Sequence, residues 1–311
     1  MRVLVTGATG FIGAHLGRRL VSGGHTLVSL SRAHIGQPEA AAHFPHDVGS
    51  EEPWPEVGPV DAVVHLAAAS SGIQAQEDPA GVARANVQGT MHALLFARDA
   101  GARFVLASSQ RTYRPGPDLL SEDSPQEPAD LYGCTKIAAE LYTRMAAHLY
   151  GVPAAIVRPF SVYGPGQLIS RGTSGVVSIL AQRALAGEPL TLMSRHPKDF
   201  VDVTDVAEGI MLALAACQSP PRSYNIATGV PVTVIELARL LQAVTVSTSP
   251  IIEDYSHDES GGLVADISRA RRELGYEPRV RLEEGLRTYV SWLQRARPDP
   301  AQSPPDVRTA G

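Results

Sequence analysis

The 311-residue chain reads as an α/β protein with a doubly wound parallel sheet and a smaller mixed α/β unit behind it. Three observations predict this class. The chain opens on a strand, a glycine turn and a helix. Short apolar strands then alternate with helical stretches to about residue 160. Beyond that point the alternation breaks down.

Val3, Leu4 and Val5 form an apolar run long enough for a buried strand. Gly7, Gly10 and Gly13 follow at three-residue spacing, and Ile12, Leu16 and Leu20 recur at helical spacing over residues 11–20. A dinucleotide pyrophosphate needs this order: a tight turn, close backbone approach, then close helix–strand packing. The helix N-terminus offers N–H groups and positive dipole to the anion. The expected sheet is therefore of Rossmann type.

Residues 26–30 read as the second strand, ending at Ser31-Arg32. An acidic side chain there would bind the adenosine ribose 2′-hydroxyl, whereas arginine accommodates a 2′-phosphate. Ser31-Arg32 thus points to NADP, with NAD as the alternative. Residues 33–59 are rich in proline, glycine and histidine and read as loop. Within them Asp47-Val48 falls where a short strand would end, and the carboxylate could meet the adenine amino group.

Residues 60–68 are the next buried strand, and His65 in it reads as a hydrogen-bonded core histidine rather than a catalyst. The pattern over 79–101 predicts one long helix with an apolar stripe of Val82, Val87, Leu94 and Leu95. Residues 104–109 form a strand ending in Ser108-Ser109, 138–150 an amphipathic helix after Tyr132 and Lys136, and 154–159 a further strand. Strands alternating with helices argue for parallel pairing. Later stretches predict helices at 176–186, 206–217, 234–241, 267–274 and 282–293 and short strands within 188–202 and 223–227. The expected division is a dinucleotide-binding domain over 1–160, joined again by segments at about 200–228, and a mainly substrate-binding domain over 161–296. Pro298, Pro300, Pro304 and Pro305 make 297–311 an expected disordered tail.

The net charge of −5 gives no electrostatic case for nucleic acid. No apolar run reaches membrane-spanning length. Two cysteines, Cys134 and Cys217, make neither a disulfide framework nor a metal-ligand set, and they suit a reducing cytoplasm. With the first strand starting at once, a signal peptide is not expected.

Tyr132 and Lys136 are four apart, so on one helix they share a face. Free tyrosine, with a pKa of about 10, is a poor base at neutral pH. A nearby ammonium favours the phenolate, which can then exchange a proton with a substrate oxygen as hydride moves. Ser108-Ser109 at a strand end would hold a hydroxyl near that oxygen.

The chain resembles the extended short-chain dehydrogenase/reductases of the NAD(P)-dependent epimerase/dehydratase family. The resemblance rests on Thr6–Gly13, His65–Ala68, Asn86–Thr90, Ser108-Ser109, Tyr132 with Lys136, Arg158–Pro165, Asp199–Val206 and Asp266–Tyr276. It implies Ser109, Tyr132 and Lys136 as catalytic triad. It also implies cofactor contacts from Gly7, Thr9, Gly10, Phe11, Ile12, Gly13, Ser31, Arg32, Asp47 and Val48. Leu66, Ala67, Ala68, Asn86, Ser108 and Pro159 join them, together with Tyr132 and Lys136. The implied substrate is a sugar or nucleotide-sugar, and the implied assembly is a homodimer built on the helices at 82–100 and 136–150. No metal is implied.

Several residues depart from the family pattern. The Asp-Glu pair that follows the catalytic hydroxyl in 4,6-dehydratases is Gln110-Arg111, which argues against water elimination. The usual Arg-Pro-Phe-Asn ends in Ser161, and Lys198 stands where an arginine normally grips a diphosphate. Residues 253–260 carry carboxylates where a second diphosphate arginine is expected. Candidate substrate residues are Ser70, Gln110, Arg111, Ser161, Arg171 and Lys198. The expected activity is NADP-dependent reduction of a keto group on a nucleotide-linked sugar; the alternative is a 4-epimerase-like enzyme with retained NAD.

Overall fold

The computed structural model describes residues 1–70, 72–116, 118–167, 175–256 and 261–296. β1 (Arg2–Thr6) runs into α1 (Phe11–Ser22), followed by β2 (Thr26–Ser31), β3 (Ala42–Pro45) and β4 (Ala62–His65). Helices α2 (Gly72–Glu77), α3 (Pro79–Ala83) and α4 (Gly89–Asp99) lead to β5 (Arg103–Ala107), α5 (Leu131–Tyr150) and β6 (Ala154–Pro159). Then come β7 (Ser161–Tyr163), α6 (Val176–Ala186), β8 (Leu190–Leu192), β9 (Phe200–Asp202), α7 (Val203–Ala215) and β10 (Arg222–Ile226). The chain closes with α8 (Val234–Thr245), β11 (Ile251–Glu253), α9 (Ser268–Leu274) and α10 (Leu282–Ala296).

Seven strands form one sheet in the order β10-β6-β5-β4-β1-β2-β3, and every pair in it is parallel. The order reverses between β1 and β4, which opens a crevice at their carboxyl ends. Side chains alternate across each strand. Val3 and Val5 of β1 thus enter the core with Leu16, Leu20, Ile210 and Leu214 from α1 and α7. Leu4 faces the other way, toward Leu94, Ala97 and Ala146 of α4 and α5. Burial on both faces explains why these strands read as continuous apolar runs. A third cluster joins α6, β8, α8 and α10 through Leu180, Leu192, Leu237, Leu241 and Leu286. Thr233 starts α8 in a capping box with Glu236.

Two expected elements differ. The stretch read as one helix over 79–101 is α3 and α4 joined by a π-helical turn at Arg84–Gln88. One extra residue in a turn leaves apolar spacing almost unchanged, so periodicity cannot reveal it. The strand read over 60–68 stops at His65. Its continuation leaves the sheet because its amides find other partners: Ala67 N donates to Thr6 Oγ1 (3.3 Å) and Ala69 N to Asn86 Oδ1 (2.8 Å). α2 and β11 were not legible in the sequence. The expected tail at 297–311 lies outside the described residues.

Candidate active site

The glycine turn is shaped by close approach. Gly7 has φ +69°, and a Cβ there would stand 2.7 Å from Ala67 N; one at Gly13 would stand 2.4 Å from Gly7 O. Gly10 caps α1 without a side chain over its N-terminus, leaving amides open to an anion. Gln37, read in the sequence only as part of a loop, braces this turn. Its Nε2 donates to Gly13 O (2.9 Å) and also to Ala8 O.

A cavity of about 290 Å³ lies over the carboxyl ends of β1, β2 and β4. Gly7, Thr9, Gly10, Ser31, Arg32, Asp47, Val48, Leu66, Ala67 and Ala68 line it, as do His46, Ala69 and Ala85, which were not anticipated. Ser31 Oγ accepts from Thr9 Oγ1 (2.9 Å) and from Ala33 N (3.3 Å). Arg32 is exposed at the rim, and Asp47 Oδ1 accepts from Gly49 N at 2.9 Å. The open turn, the uncapped helix and this cavity fit the adenosine and pyrophosphate of a dinucleotide. Phe11, Gly13 and Asn86 do not line the cavity. Asn86 is buried and clamps residue 69 by accepting from Ala69 N and donating to Ala69 O.

A second cavity, about 560 Å³, lies beyond β5 and β6. It gathers Ile12, Ser70, Ser108, Ser109, Gln110, Arg111, Tyr132, Pro159, Ser161 and Lys198, with Gln167 and Val176 among the residues not anticipated. Arg171 lies outside the described residues. Gln110 Nε2 donates to Ser161 Oγ at 3.1 Å.

Tyr132 and Lys136 share α5, which Asp130 starts by accepting from Gly133 N at 2.7 Å. Aspartate at a helix N-cap is a signal the sequence carries. The Tyr132 ring packs on Ala75 and Val82, and Tyr132 and Ser109 line the same cavity. Burial pushes this phenol up to about 12, while Ser109 and the Arg111 charge oppose that rise and Asp130 adds to it. Lys136 is 3 % exposed and donates from Nζ to Ala107 O at 2.9 Å. Burial pulls its ammonium down to about 8, against the attraction of Glu140. Its Nζ is 5.8 Å from the Tyr132 ring centroid. Burial is therefore the largest influence on the phenol.

Behind these groups Glu140 accepts from Ser108 Oγ (2.6 Å) and Gln126 Nε2 (3.0 Å) and pairs with Arg158. Arg158 Nη1 also donates to Tyr113 Oη at 2.7 Å. His65 is 1 % exposed beside Thr6, so it is the core histidine that was expected. Asp199 is buried and accepts from the amides of Thr228, Gly229 and Ala265, which ties the Lys198 segment to the sheet. Among the described residues no cluster of His, Cys, Asp or Glu could hold a metal ion, and no helix is long and apolar enough to cross a membrane.

A seven-stranded parallel sheet with a phosphate-shaped turn and a tyrosine–serine pair at the next strand ends defines a dinucleotide-dependent class of α/β enzyme. Residues 3–227 match the NAD dependent epimerase/dehydratase family. The chain belongs to that family and is an enzyme of its extended short-chain dehydrogenase/reductase type. A UDP-glucose 4-epimerase of Mycolicibacterium smegmatis is 32 % identical over 94 % of this chain and 99 % of its own length. UDP-glucuronic acid decarboxylase 2 of Arabidopsis thaliana is 30 % identical over 92 % of this chain and 66 % of its own. The solved structure of MoeE5 in complex with UDP-glucuronic acid and NAD superposes with a TM-score of 0.86 at 30 % identity, covering 95 % of this chain and 99 % of that one.

Proposed function

We propose that this enzyme oxidises and re-reduces one carbinol carbon of a nucleotide-linked sugar, as a 4-epimerase does. The observation that carries this reading is the pairing of Ser109 and Tyr132 on the wall of the 560 Å³ cavity. NAD(P) held by Gly7, Gly10, Ser31, Arg32, Asp47 and Lys136 would supply the hydride acceptor. Tyr132 takes the sugar hydroxyl proton and returns it to the same oxygen. Ser109 accepts the Arg111 N–H at 3.2 Å, so its own proton is free to hold the reacting oxygen or the phenol. Lys136, fixed on Ala107 O, has two donors left for the cofactor ribose.

The position after Ser109 carries Gln110-Arg111, with no acid to expel a hydroxyl. Asp130 is engaged by Arg111 and Gly133, which disfavours dehydration. Ser161 and Lys198 lie on the same cavity and would meet the sugar and its phosphates.

A second reading, net reduction of a keto sugar by NADPH, is favoured by the Ser31-Arg32 end of β2, which presents a cation and no carboxylate. Incubation with UDP-glucose and either nucleotide separates the two. Isomer formation seen by proton NMR without net absorbance change at 340 nm supports epimerisation. NADPH consumption with a 4-keto sugar and no isomer supports reduction. Inertness toward nucleotide sugars and keto sugars alike would remove both.

We infer also that two copies pair through α4 and α5. Leu141, Met145, Leu149 and Tyr150 are exposed there along an apolar groove that Met91 and Leu95 complete.

A further inference from the structure

We propose that a further cavity, between β9 and the segment leading into α10, binds a small phosphate monoester with an apolar or aromatic body. The site is separate from the dinucleotide turn and from Tyr132, and the epimerase reading does not require it.

This cavity measures about 360 Å³, within the size range of small-molecule sites. Its apolar wall is Phe200, Val232, Pro278, Val280 and Leu282, with Val230 at 56 % exposure. Every charged residue that lines it is an arginine: Arg271, Arg279 and Arg281. An apolar wall with charge of one sign suits a ligand with an apolar body and an anionic head.

The carboxylates packed nearby are already engaged. Asp205 of α7 interacts with the Arg279 charge, but its oxygens accept from Arg279 N and Val280 N, each at 3.0 Å. These bonds pin the 279–280 backbone to α7. Asp199 is buried and accepts from Thr228 Oγ1 at 2.6 Å, so the one hydroxyl lining the cavity is held as well. Glu277 pairs with Arg271, its Oε2 3.3 Å from Nε. Glu283, in the first turn of α10, pairs with Arg287. Among the described residues the guanidinium groups of Arg279 and Arg281 enter no ion pair and no hydrogen bond.

Two unpaired cations match a dianion better than a carboxylate. A phosphate monoester carries about −1.5 to −2 at neutral pH, and the guanidinium fork fits its oxygens bidentately. The position also bears on the substrate cavity. Phe200 lines both spaces. Val232 exchanges backbone hydrogen bonds with Lys198, at 2.9 and 3.0 Å. A ligand held here would therefore share a wall with the substrate cavity and touch the strand partner of Lys198.

Arginines on a merely solvated face would take inorganic phosphate and an aryl phosphate alike. The test titrates the full chain by calorimetry with phenyl phosphate, inorganic phosphate and phenylacetate. Phenyl phosphate should bind with a Kd of about 1 mM or lower and clearly more tightly than the other two. Arg279→Met with Arg281→Met should weaken it about tenfold. Equal affinity for inorganic phosphate, or an unchanged Kd in the folded double variant, overturns the proposal. Should that variant fail to fold, Val230→Trp, which fills the cavity from an exposed position, must weaken binding as much; an unchanged Kd there overturns it equally. No nucleotide sugar and no turnover enter the titration, so failure of the epimerase reading leaves its result standing.

Discussion

Arg158 grips Glu140 at two points, Nε to Oε1 at 2.8 Å and Nη2 to Oε2 at 2.6 Å, with both side chains 1 % exposed. Burial alone would raise the Glu140 carboxyl; the hydrogen bonds and charge of Arg158 more than reverse this and hold it below its usual range. Glu140 also takes the Ser108 hydroxyl, so one buried pair supports the strand end from which the site is built.

Breaking that pair by Glu140→Ala leaves a buried guanidinium uncompensated. The expected loss is about 3–5 kcal/mol of stability, read from the urea midpoint. A change below about 1 kcal/mol would show that water reaches Arg158 as it does a surface ion pair.

Tyr132→Phe removes one hydroxyl and little packing. Turnover should fall by roughly 10²–10⁴ while cofactor binding, followed by fluorescence quenching, stays nearly unchanged. Wild-type rates in this variant would reject Tyr132 as the proton carrier.

Arg32→Asp exchanges a cation for a carboxylate at the adenosine cavity. Its affinity for NADP should weaken relative to NAD, because two like charges would then meet at the 2′-phosphate. Calorimetric titration of both nucleotides checks this, and an unaltered ratio would refute a role for Arg32 in the choice.

His65 sets an acid limit on stability. Burial, with the Lys136 charge in support, lowers its imidazole to about 3 from an ordinary 6.5. A depressed histidine is neutral in the native state while the unfolded chain takes up a proton below about 6.5. Stability is therefore fully present above that pH and declines as pH falls toward 3. His65→Leu should flatten this part of the curve whatever its baseline stability. An equally steep decline in the variant, measured by thermal melts from pH 7 to 4, would assign the acid loss to other groups.

The paired assembly predicts that Leu141→Glu together with Leu149→Glu yields a monomer by sedimentation. A wild-type chain already monomeric at micromolar concentration would end that inference.

By itself the sequence determined much of the fold and the identities at the site. Local spacing shows the glycine turn, the buried strands and the Thr233 cap because each depends on residues a few positions apart. It also puts Tyr132 and Lys136 four residues apart, ahead of a helix expected from 138, and Ser31-Arg32 at a strand end; the helix in fact starts at Leu131 and takes in both. Only the tertiary structure decided what surrounds those groups. Arg111 meets Asp130, Arg158 meets Glu140, and Gln37 reaches the glycine turn across gaps of 19, 18 and 24 to 29 residues, and such pairings leave no period to read. Burial is likewise a property of the packed chain. It lifts the Tyr132 phenol and lowers the Lys136 ammonium.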